Sequence, residues 1–208
     1  MKLYLSSYRI QHFDALTDLV GKEAEAISVG LVPNAKDYYA DRARAYKIGQ
    51  ITEYLTSLHL SSQIVDLRDY NHGQTLQDDL SHFDMLWVMG GNTFCLMQEM
   101  KRSKFSEIIG NVLESGVTYC GESAGAVVAG TTLRGVELAD VPEFAEEVIW
   151  DGLALVPNFI MPHADSADFA EAITAAKEAH RDDADAIFLN DNQALIVNGL
   201  TKSIVTAS

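Results

Sequence analysis

The chain has 208 residues, of which 48% are hydrophobic, and its 30 acidic residues outnumber its 15 basic ones to give a net charge of −15. This length and composition predict one soluble domain, residues 1–208, whose negative surface disfavours binding to nucleic acid or to an anionic membrane. No apolar run reaches the roughly 20 residues that span a bilayer, and the amino terminus lacks a secretory pattern, so we expect a cytoplasmic protein.

Along the chain, short apolar runs alternate with stretches of helical periodicity. The runs are typical of buried strands, and they lie at residues 3–5, 26–33, 63–67, 84–90, 117–121, 186–190, 194–199 and 203–207. Apolar residues recur at helical spacing within 37–58, 93–113 and 168–180, and the second stretch is predicted to break near Ser103. Near-continuous apolar strands predict a mostly parallel sheet that is covered on both faces, which is an α/β fold.

Residues 121–125, Gly-Glu-Ser-Ala-Gly, place Ser123 between a predicted strand and a helix that begins near Ala124. The segment fits G-x-S-x-G, in which a sharp strand-to-helix turn points a serine oxygen clear of the sheet and flanking glycines avoid clashes. In such a turn the amide of the next residue, Ala124, faces the developing oxyanion of the substrate. Ser123 is therefore the candidate nucleophile; the alternative is a small residue that only fits a tight turn.

A second glycine turn, Met-Gly-Gly-Asn-Thr-Phe at residues 89–94, also follows a predicted strand and opens a helix. Adjacent glycines let a backbone amide approach a ligand closely, so Gly91 is the candidate second oxyanion donor. The alternative is a plain strand-to-helix turn with Asn92 or Thr93 as the helix cap. The turn is not G-x-G-x-x-G and has no Walker lysine, which disfavours a loop that binds nucleotide phosphates.

A serine nucleophile needs a base, and His163 stands apart from the other five histidines. It follows an apolar extended segment that ends at Pro162, and the active sites of open α/β sheets gather at strand ends. The alternative is a structural histidine. A carboxylate should orient the imidazole, and Asp140, which lies between the serine and the histidine in sequence, is the candidate with Glu137 as its rival. An exposed acidic loop is the alternative for both.

The two cysteines, Cys95 and Cys120, form neither a disulfide framework nor a metal-ligand cluster, and we expect no metal and no cofactor. Cys120 is a conceivable thiol nucleophile. It lies three residues before Ser123 at the end of an apolar strand, however, where a cysteine usually packs.

Several segments together resemble the peptidase E family of serine peptidases, the aspartyl dipeptidase group, and its cyanophycinase relatives. They are VMGGNTFCLMQEM at 88–100, YCGESAGAVVAG at 119–130 and MPHADS at 161–166, and GLVPNAKDYY at 30–39 and LNDNQALIVNG at 189–199 also fit the family pattern. The resemblance implies a three-layer α/β/α sandwich similar to class I glutamine amidotransferases, with a serine in place of their elbow cysteine.

The same resemblance implies roles for individual residues. Ser123 would be the nucleophile and His163 the general base, while the amides of Gly91 and Ala124 would form the oxyanion hole. Asp140, from the segment Asp-Val-Pro, would orient the histidine, although this segment is about two residues longer than the family pattern. Glu137 stays as its rival.

The implied activity is hydrolysis of short peptides through an acyl-enzyme, with a preference for an amino-terminal aspartate. Such a pocket needs a cation, and Arg134, Lys177 and Arg181 are the candidates, although none stands at an unmistakable family position. The alternatives are an amidotransferase-like binding protein without catalysis, or another serine hydrolase on this fold, such as an esterase or a cyanophycinase-like enzyme. The sequence leaves the oligomeric state open.

Overall fold

A seven-stranded sheet forms the centre of the molecule in the computed structural model, which describes residues 1–70 and 73–207. The strands are β1 Lys2–Ser6, β2 Ser28–Val32, β3 Ser61–Ile64, β4 Met85–Val88, β5 Thr118–Glu122, β6 Ile160–Met161, β7 Ile187–Phe188, β8 Gln193–Asn198 and β9 Thr201–Thr206. Their order in the sheet is β3-β2-β4-β5-β1-β8-β9, and β6 pairs separately with β7. Strands β3 to β1 of that order run parallel, whereas β8 and β9 are antiparallel to their neighbours.

Helices cover both faces of this sheet. They are α1 Phe13–Val20, α2 Asp41–Ser57, α3 Gly73–Leu80, α4 Thr93–Arg102, α5 Phe105–Glu114, α6 Ala124–Val127 and α7 Ala170–Ala179. Apolar residues of α1 and α2 share one buried cluster, while those of α3 to α7 share another on the opposite face. Among the described residues, no helix combines the length and the apolar character needed to cross a membrane.

Alternation along the strands explains why the core has two halves. In β4, Met85 and Trp87 pack into the cluster with α1 and α2, whereas Leu86 and Val88 pack into the other. Successive side chains of a strand point to opposite faces, so a strand that is apolar at every position buries both of its faces. The predicted α/β fold with a mostly parallel sheet is confirmed.

Local side-chain bonds set several element ends. The break predicted near Ser103 is confirmed: α4 ends at Arg102, and the Ser103 hydroxyl donates to the Glu99 carbonyl oxygen and accepts from the Phe105 amide. The strand predicted at 63–67 instead ends at Ile64, because the Asp66 carboxylate accepts from the Arg68 amide and begins a short 3-10 turn. Helices α1 and α3 were not among the predicted stretches.

The parallel register gathers the sequence motifs at one edge of the sheet. Ser6, the last residue of β1, pairs with Glu122, the last residue of β5, and Val88 at the end of β4 pairs with Gly121. The residues that follow these three strands, including Ser123 and the glycine turn after β4, therefore emerge side by side. Ligands of open α/β sheets bind at this edge.

Close packing at this edge yields a prediction about Gly125. A methyl group there would lie 2.3 Å from the carbonyl oxygen of Val88, so Gly125→Ala is expected to lower the free energy of unfolding by about 1–3 kcal/mol. Gly110 in the exposed face of α5 has no atom within 4 Å of such a methyl group, and Gly110→Ala is expected to raise it by about 0.5–1 kcal/mol. Urea unfolding of the two variants measures both effects, and equal responses would contradict this packing.

Candidate active site

Ser123 lies at a sharp turn between β5 and α6 with backbone angles φ 51° and ψ −111°. This left-handed conformation is costly for a residue with a side chain and persists only where its surroundings fix it. The Ser123 amide donates to the Ser6 carbonyl oxygen at 3.0 Å, and a Cβ atom on Gly121 would lie 2.2 Å from the carbonyl oxygen of Gly125. The predicted elbow is therefore present, with glycines where the backbone segments touch.

His163 follows β6 and faces the elbow serine. Its Nε2 lies 3.0 Å from the Ser123 Oγ, and its Nδ1 lies 2.5 Å from the Asp191 Oδ1. When the protonated Nδ1 donates a hydrogen bond to the Asp191 carboxylate, Nε2 is the ring nitrogen that accepts from the serine hydroxyl. The imidazole also stacks on Phe169, with ring centroids 4.7 Å apart and planes 14° apart. Asp191, His163 and Ser123 thus form one continuous row of hydrogen-bonded side chains, which we call the catalytic row.

Ser7, the residue after β1, joins two members of this row. Its hydroxyl donates to the Asp191 Oδ1 at 3.1 Å and accepts from the His163 amide at 2.7 Å. His163 has a left-handed φ of 61°, so this bond holds a strained backbone as well as the carboxylate beside it. Ser7 is fully buried.

Asp191 and Ser7 are site residues that were not predicted from the sequence. Asp191 lies in a segment that fits the family pattern, and it follows β7 by only a few residues. A carboxylate just past a strand is the signal that could have indicated it. Ser7 follows β1 in the same way. Serine is common in such turns, so nothing in its own neighbourhood set it apart.

The two carboxylates predicted to orient His163 bond elsewhere, and this expectation is corrected: the carboxylate on the imidazole is Asp191. Asp140 accepts from both the amide and the hydroxyl of Thr93 at the start of α4, and the amide bond measures 2.9 Å. Glu137 accepts from the Gly135 amide at 2.6 Å. The reason is that the segment carrying them folds against the start of α4, where the Asn92 side chain also donates to the Val141 carbonyl oxygen.

Asp140 nevertheless lines the cavity in front of Ser123. Burial raises the pKa of its carboxyl group above the usual value, although the hydrogen bonds from Thr93 and the charges of His163 and Lys36 act in the opposite direction. Holding Asp140 ionised therefore has a cost in stability at neutral pH.

The two residues predicted to form the oxyanion hole are Gly91 and Ala124. Both line the cavity, and in the described part of the chain neither backbone amide donates a hydrogen bond. Gly91 has φ 148°, and a Cβ on it would lie 2.2 Å from the Ala35 carbonyl oxygen. The Asn92 side chain caps α4 by accepting a hydrogen bond from the Cys95 amide. The glycine turn is therefore a capped helix start, and it also brings the Gly91 amide to the cavity.

The cavity in front of these groups is small, with a volume of about 270 Å³. Its lining also includes the phenol ring of Tyr38 and the apolar residues Val127, Val136, Ala139, Met161, Pro162 and Phe169. Among the described residues, no three His, Cys, Asp or Glu side chains converge as metal ligands would.

The three cations predicted to read a substrate carboxylate lie outside this cavity. The Arg134 guanidinium sits 4.7 Å above the Trp150 ring, and the Lys177 ammonium 5.6 Å from the Phe188 ring. Arg181 is exposed and pairs with Glu178 at 2.9 Å. None of the three lines the cavity.

Cys120 does not reach the site. It is fully buried in the cluster on the α1 and α2 face, with its sulfur 3.8 Å from the Met85 sulfur. Burial raises the pKa of the Cys120 thiol, which disfavours the thiolate that a nucleophile would need. The prediction that this cysteine only packs is confirmed.

The sequence profile described as peptidase family S51 matches residues 4–205, nearly the whole chain. This chain belongs to peptidase family S51. Relatives of this chain include a protein of Pasteurella multocida (strain Pm70) that is named an uncharacterized peptidase, 28% identical over 98% of this chain and 96% of its own length. A protein named peptidase E from Haemophilus influenzae (strain Rd) is 31% identical over 50% of this chain and 46% of its own. These findings identify the chain as a serine-type peptidase of the peptidase E kind.

Solved structures show the same fold. A crystal structure described as a peptidase E protein from Listeria monocytogenes EGD-e superposes with a TM-score of 0.83 at 24% identity, covering 100% of this chain and 98% of that one. A peptidase from an acI-B1 actinobacterium gives a TM-score of 0.71 at 14% identity, covering 99% and 87%. At these identities the likeness concerns the fold.

The raised pKa of Asp140 yields a prediction about stability. Because its native pKa exceeds the unfolded value of about 3.9, this group lowers the free energy of unfolding as pH rises through the native pKa, and the cost persists at neutral pH. Asp140→Asn keeps an acceptor for Thr93 without the charge, so we expect its melting temperature at pH 7 to equal or exceed that of the unaltered protein. The difference should narrow toward pH 4.

Scanning calorimetry between pH 4 and pH 8 measures this difference. Asp140→Ala is the control, because it removes the acceptor as well as the charge and should be less stable than Asp140→Asn at every pH. A melting temperature for Asp140→Asn several degrees below that of the unaltered protein at pH 7 would contradict the assignment.

Proposed function

We propose that this S51 peptidase hydrolyses short peptides from their amino terminus by acyl transfer through Ser123. The observation that carries the proposal is the hydrogen-bonded row Asp191–His163–Ser123, which opens on a small cavity beside two backbone amides that donate no bond within the described chain. A nucleophile, a base and a group that orients the base are the parts that serine acyl transfer requires.

In the proposed first step, the Ser123 oxygen bonds to the peptide carbonyl carbon while His163 takes the serine proton on Nε2. Asp191 holds the Nδ1 proton and stabilises the imidazolium without taking that proton. The His163 proton then passes to the leaving amine as the carbon–nitrogen bond breaks. Water, deprotonated by the same nitrogen, attacks the acyl-serine and releases the acid.

The amides of Gly91 and Ala124 are the proposed donors to the oxyanion of the tetrahedral intermediate. Both are held before substrate arrives, because the Asn92 amide donates to the Ala35 carbonyl oxygen beside Gly91 and the elbow holds Ala124. A donor of this kind contributes about 3–4 kcal/mol to stabilisation of the transition state in comparable sites.

Asp140 is the proposed partner of the free ammonium group of the substrate. It lines the cavity as a carboxylate that His163 does not use, and its hydrogen bonds from Thr93 fix its direction. A cavity of about 270 Å³ falls just below the usual range for small-molecule sites, roughly 300–1,000 Å³. Such a size suits the first residue of a short peptide rather than an extended chain.

The catalytic row predicts distinct losses of activity. Ser123→Ala should abolish hydrolysis of dipeptides, because no acyl-enzyme can form. Asp191→Asn should lower kcat by about 10⁴-fold, because an amide at that position favours the wrong histidine tautomer. Glu137→Gln is the matched control and should keep kcat within a few-fold, since Glu137 contacts Gly135 rather than His163. A kcat for Asp191→Asn near the unaltered value would contradict the assigned role.

Ser7 is proposed as a positioning residue, because it touches Asp191 and the His163 backbone but not the cavity. Ser7→Ala is expected to lower kcat about 10- to 100-fold with little change in KM, since a small misplacement of the base is costly. Ser6→Ala is the control: it removes the neighbouring buried hydroxyl, which contacts the Gly121 carbonyl oxygen instead. Steady-state kinetics of the two variants test the role, and equal losses in both would contradict it.

A further inference from the structure

Arg9 places a cation next to the residue that precedes the nucleophile, and the proposed mechanism does not use it. We propose that the Arg9 guanidinium binds the terminal carboxylate of the substrate's leaving residue, so that Arg9 makes the enzyme favour dipeptides whose terminal carboxylate is free. This inference rests on the proposed function, in which the first residue of the substrate occupies the cavity and the second leaves as the amine.

The first support is the position of Arg9 at the edge of the sheet that carries the site. Its backbone amide donates to the Glu122 Oε1 at 3.2 Å, and Glu122 directly precedes Ser123. Arg9 also lies two residues after Ser7, whose hydroxyl contacts the backbone of His163. The nucleophile and the base that protonates the leaving amine are thus both linked to Arg9, which stays outside the lining of the cavity. A cation that recognises the leaving residue needs this placement.

The second support is that the guanidinium group has unused hydrogen-bond donors. A guanidinium carries several N–H groups, and in the described part of the chain none of those on Arg9 donates to a protein atom. Its Nη1 is buried without a partner, and its Nε is 3.9 Å from the Glu122 carboxylate, too far for a hydrogen bond. Arg44, by contrast, donates to Asp37 at 2.6 Å and to Asp66 at 2.8 Å. A carboxylate fits the free donors of Arg9, because it accepts two parallel N–H bonds from one guanidinium.

The third support is that neighbouring groups hold the guanidinium before substrate arrives. It lies 4.7 Å from the centroid of the Tyr54 ring and 5.6 Å from that of the Tyr8 ring. The Tyr54 hydroxyl accepts from the Ile10 amide at 3.1 Å, which holds this ring in place. The backbone of Arg9 has a left-handed φ of 52°, a conformation that persists only where its surroundings fix it. A cation held in this way loses little entropy when it binds a ligand.

The fourth support is the balance of charge around Arg9. Lys36 is half-buried in the 3-10 turn Asn34–Lys36 and has no ion pair among the described residues. Burial lowers the pKa of the Lys36 ammonium group, the charge of Glu122 opposes this effect, and the charge of Arg9 adds to it. Arg9 and Lys36 therefore share the one buried carboxylate of Glu122. A carboxylate of the substrate would balance the remaining positive charge, while Asp140 pairs with the substrate ammonium group.

A short substrate series tests the inference. Asp-Leu and Asp-Leu amide differ only in the terminal carboxylate, and Asp-Leu and Asn-Leu differ only in the first side chain. For the unaltered enzyme we expect kcat/KM for Asp-Leu to exceed that for the amide about 10- to 100-fold, the usual gain from a charged hydrogen-bonded pair. Arg9→Gln should remove this difference and leave kcat/KM for the amide within a few-fold.

The same series distinguishes the two carboxylates of Asp-Leu. If Arg9 binds the terminal carboxylate, Arg9→Gln lowers the hydrolysis of Asp-Leu and of Asn-Leu by the same factor. If Arg9 binds the first side chain instead, the variant lowers the hydrolysis of Asp-Leu and its amide equally and spares Asn-Leu. This second result would overturn the inference, as would unchanged hydrolysis of all three substrates.

Arg134→Gln is the matched control. The Arg134 guanidinium lies 4.7 Å from the centroid of the Trp150 ring, the same distance as Arg9 from Tyr54, and it is outside the cavity lining. This variant should leave the ratio of acid to amide hydrolysis unchanged, and an equal fall in both variants would contradict a specific role for Arg9. Arg9→Lys keeps a positive charge beside Glu122 without the paired donors, so its ratio should fall between those of Arg9→Gln and the unaltered enzyme.

A binding measurement separates this inference from the proposed function. The Ser123→Ala protein cannot form an acyl-enzyme, so calorimetric titration with Asp-Leu and with its amide reports recognition alone. Asp-Leu should bind about 10- to 100-fold more tightly than the amide, and adding Arg9→Gln should abolish this difference. If the unaltered enzyme hydrolyses no dipeptide, the proposed function fails and the binding difference still decides the role of Arg9. Equal binding of acid and amide, or no binding of either, would overturn the inference.

Discussion

The strained backbone of Ser123 is the constraint on which the rest of the site depends. A serine at φ 51° is stable only because β5, β1 and α6 hold the chain on both sides of it, with glycines where a methyl group would meet another backbone segment. Gly90 continues the same packing, since a Cβ there would lie 2.9 Å from the Ser123 Cβ. The sheet thus determines where the serine oxygen points, and the cavity, base and amides are arranged around that direction.

The antiparallel end of the sheet supplies the other half of the site. Strand β8 runs against β1 so that Ala194 pairs with Ser6, and the loop just before β8 returns to the edge where β1 ends. This pairing brings Asp191 next to Ser7 although 184 residues separate them in sequence. The parallel strands provide the nucleophile and the glycine turn, and the antiparallel addition provides the carboxylate that orients the base.

Local sequence patterns are sufficient to predict most of the fold and about half of the candidate site. Apolar runs, the elbow glycines and the break at Ser103 all have causes within a few residues, so the sequence predicted the sheet, Ser123 and the turn with Gly91. The orienting carboxylate depends on how distant strands pair. Asp140 lies between Ser123 and His163 in sequence, as the orienting carboxylate was expected to. Its segment folds onto Thr93 at the start of α4, however, and no local pattern indicates that long-range contact.

The half-buried carboxylate of Asp140 lines the cavity without contacting the imidazole, and in the proposed function it pairs with the terminal amine of the substrate. The account nevertheless depends first on one reactive serine. Reaction with a fluorophosphonate, followed by mass spectrometry of the peptides, tests that claim most directly. The account predicts a single adduct on Ser123 in the folded protein and none after unfolding in urea. An adduct on another residue, or no adduct in the folded protein, would contradict it.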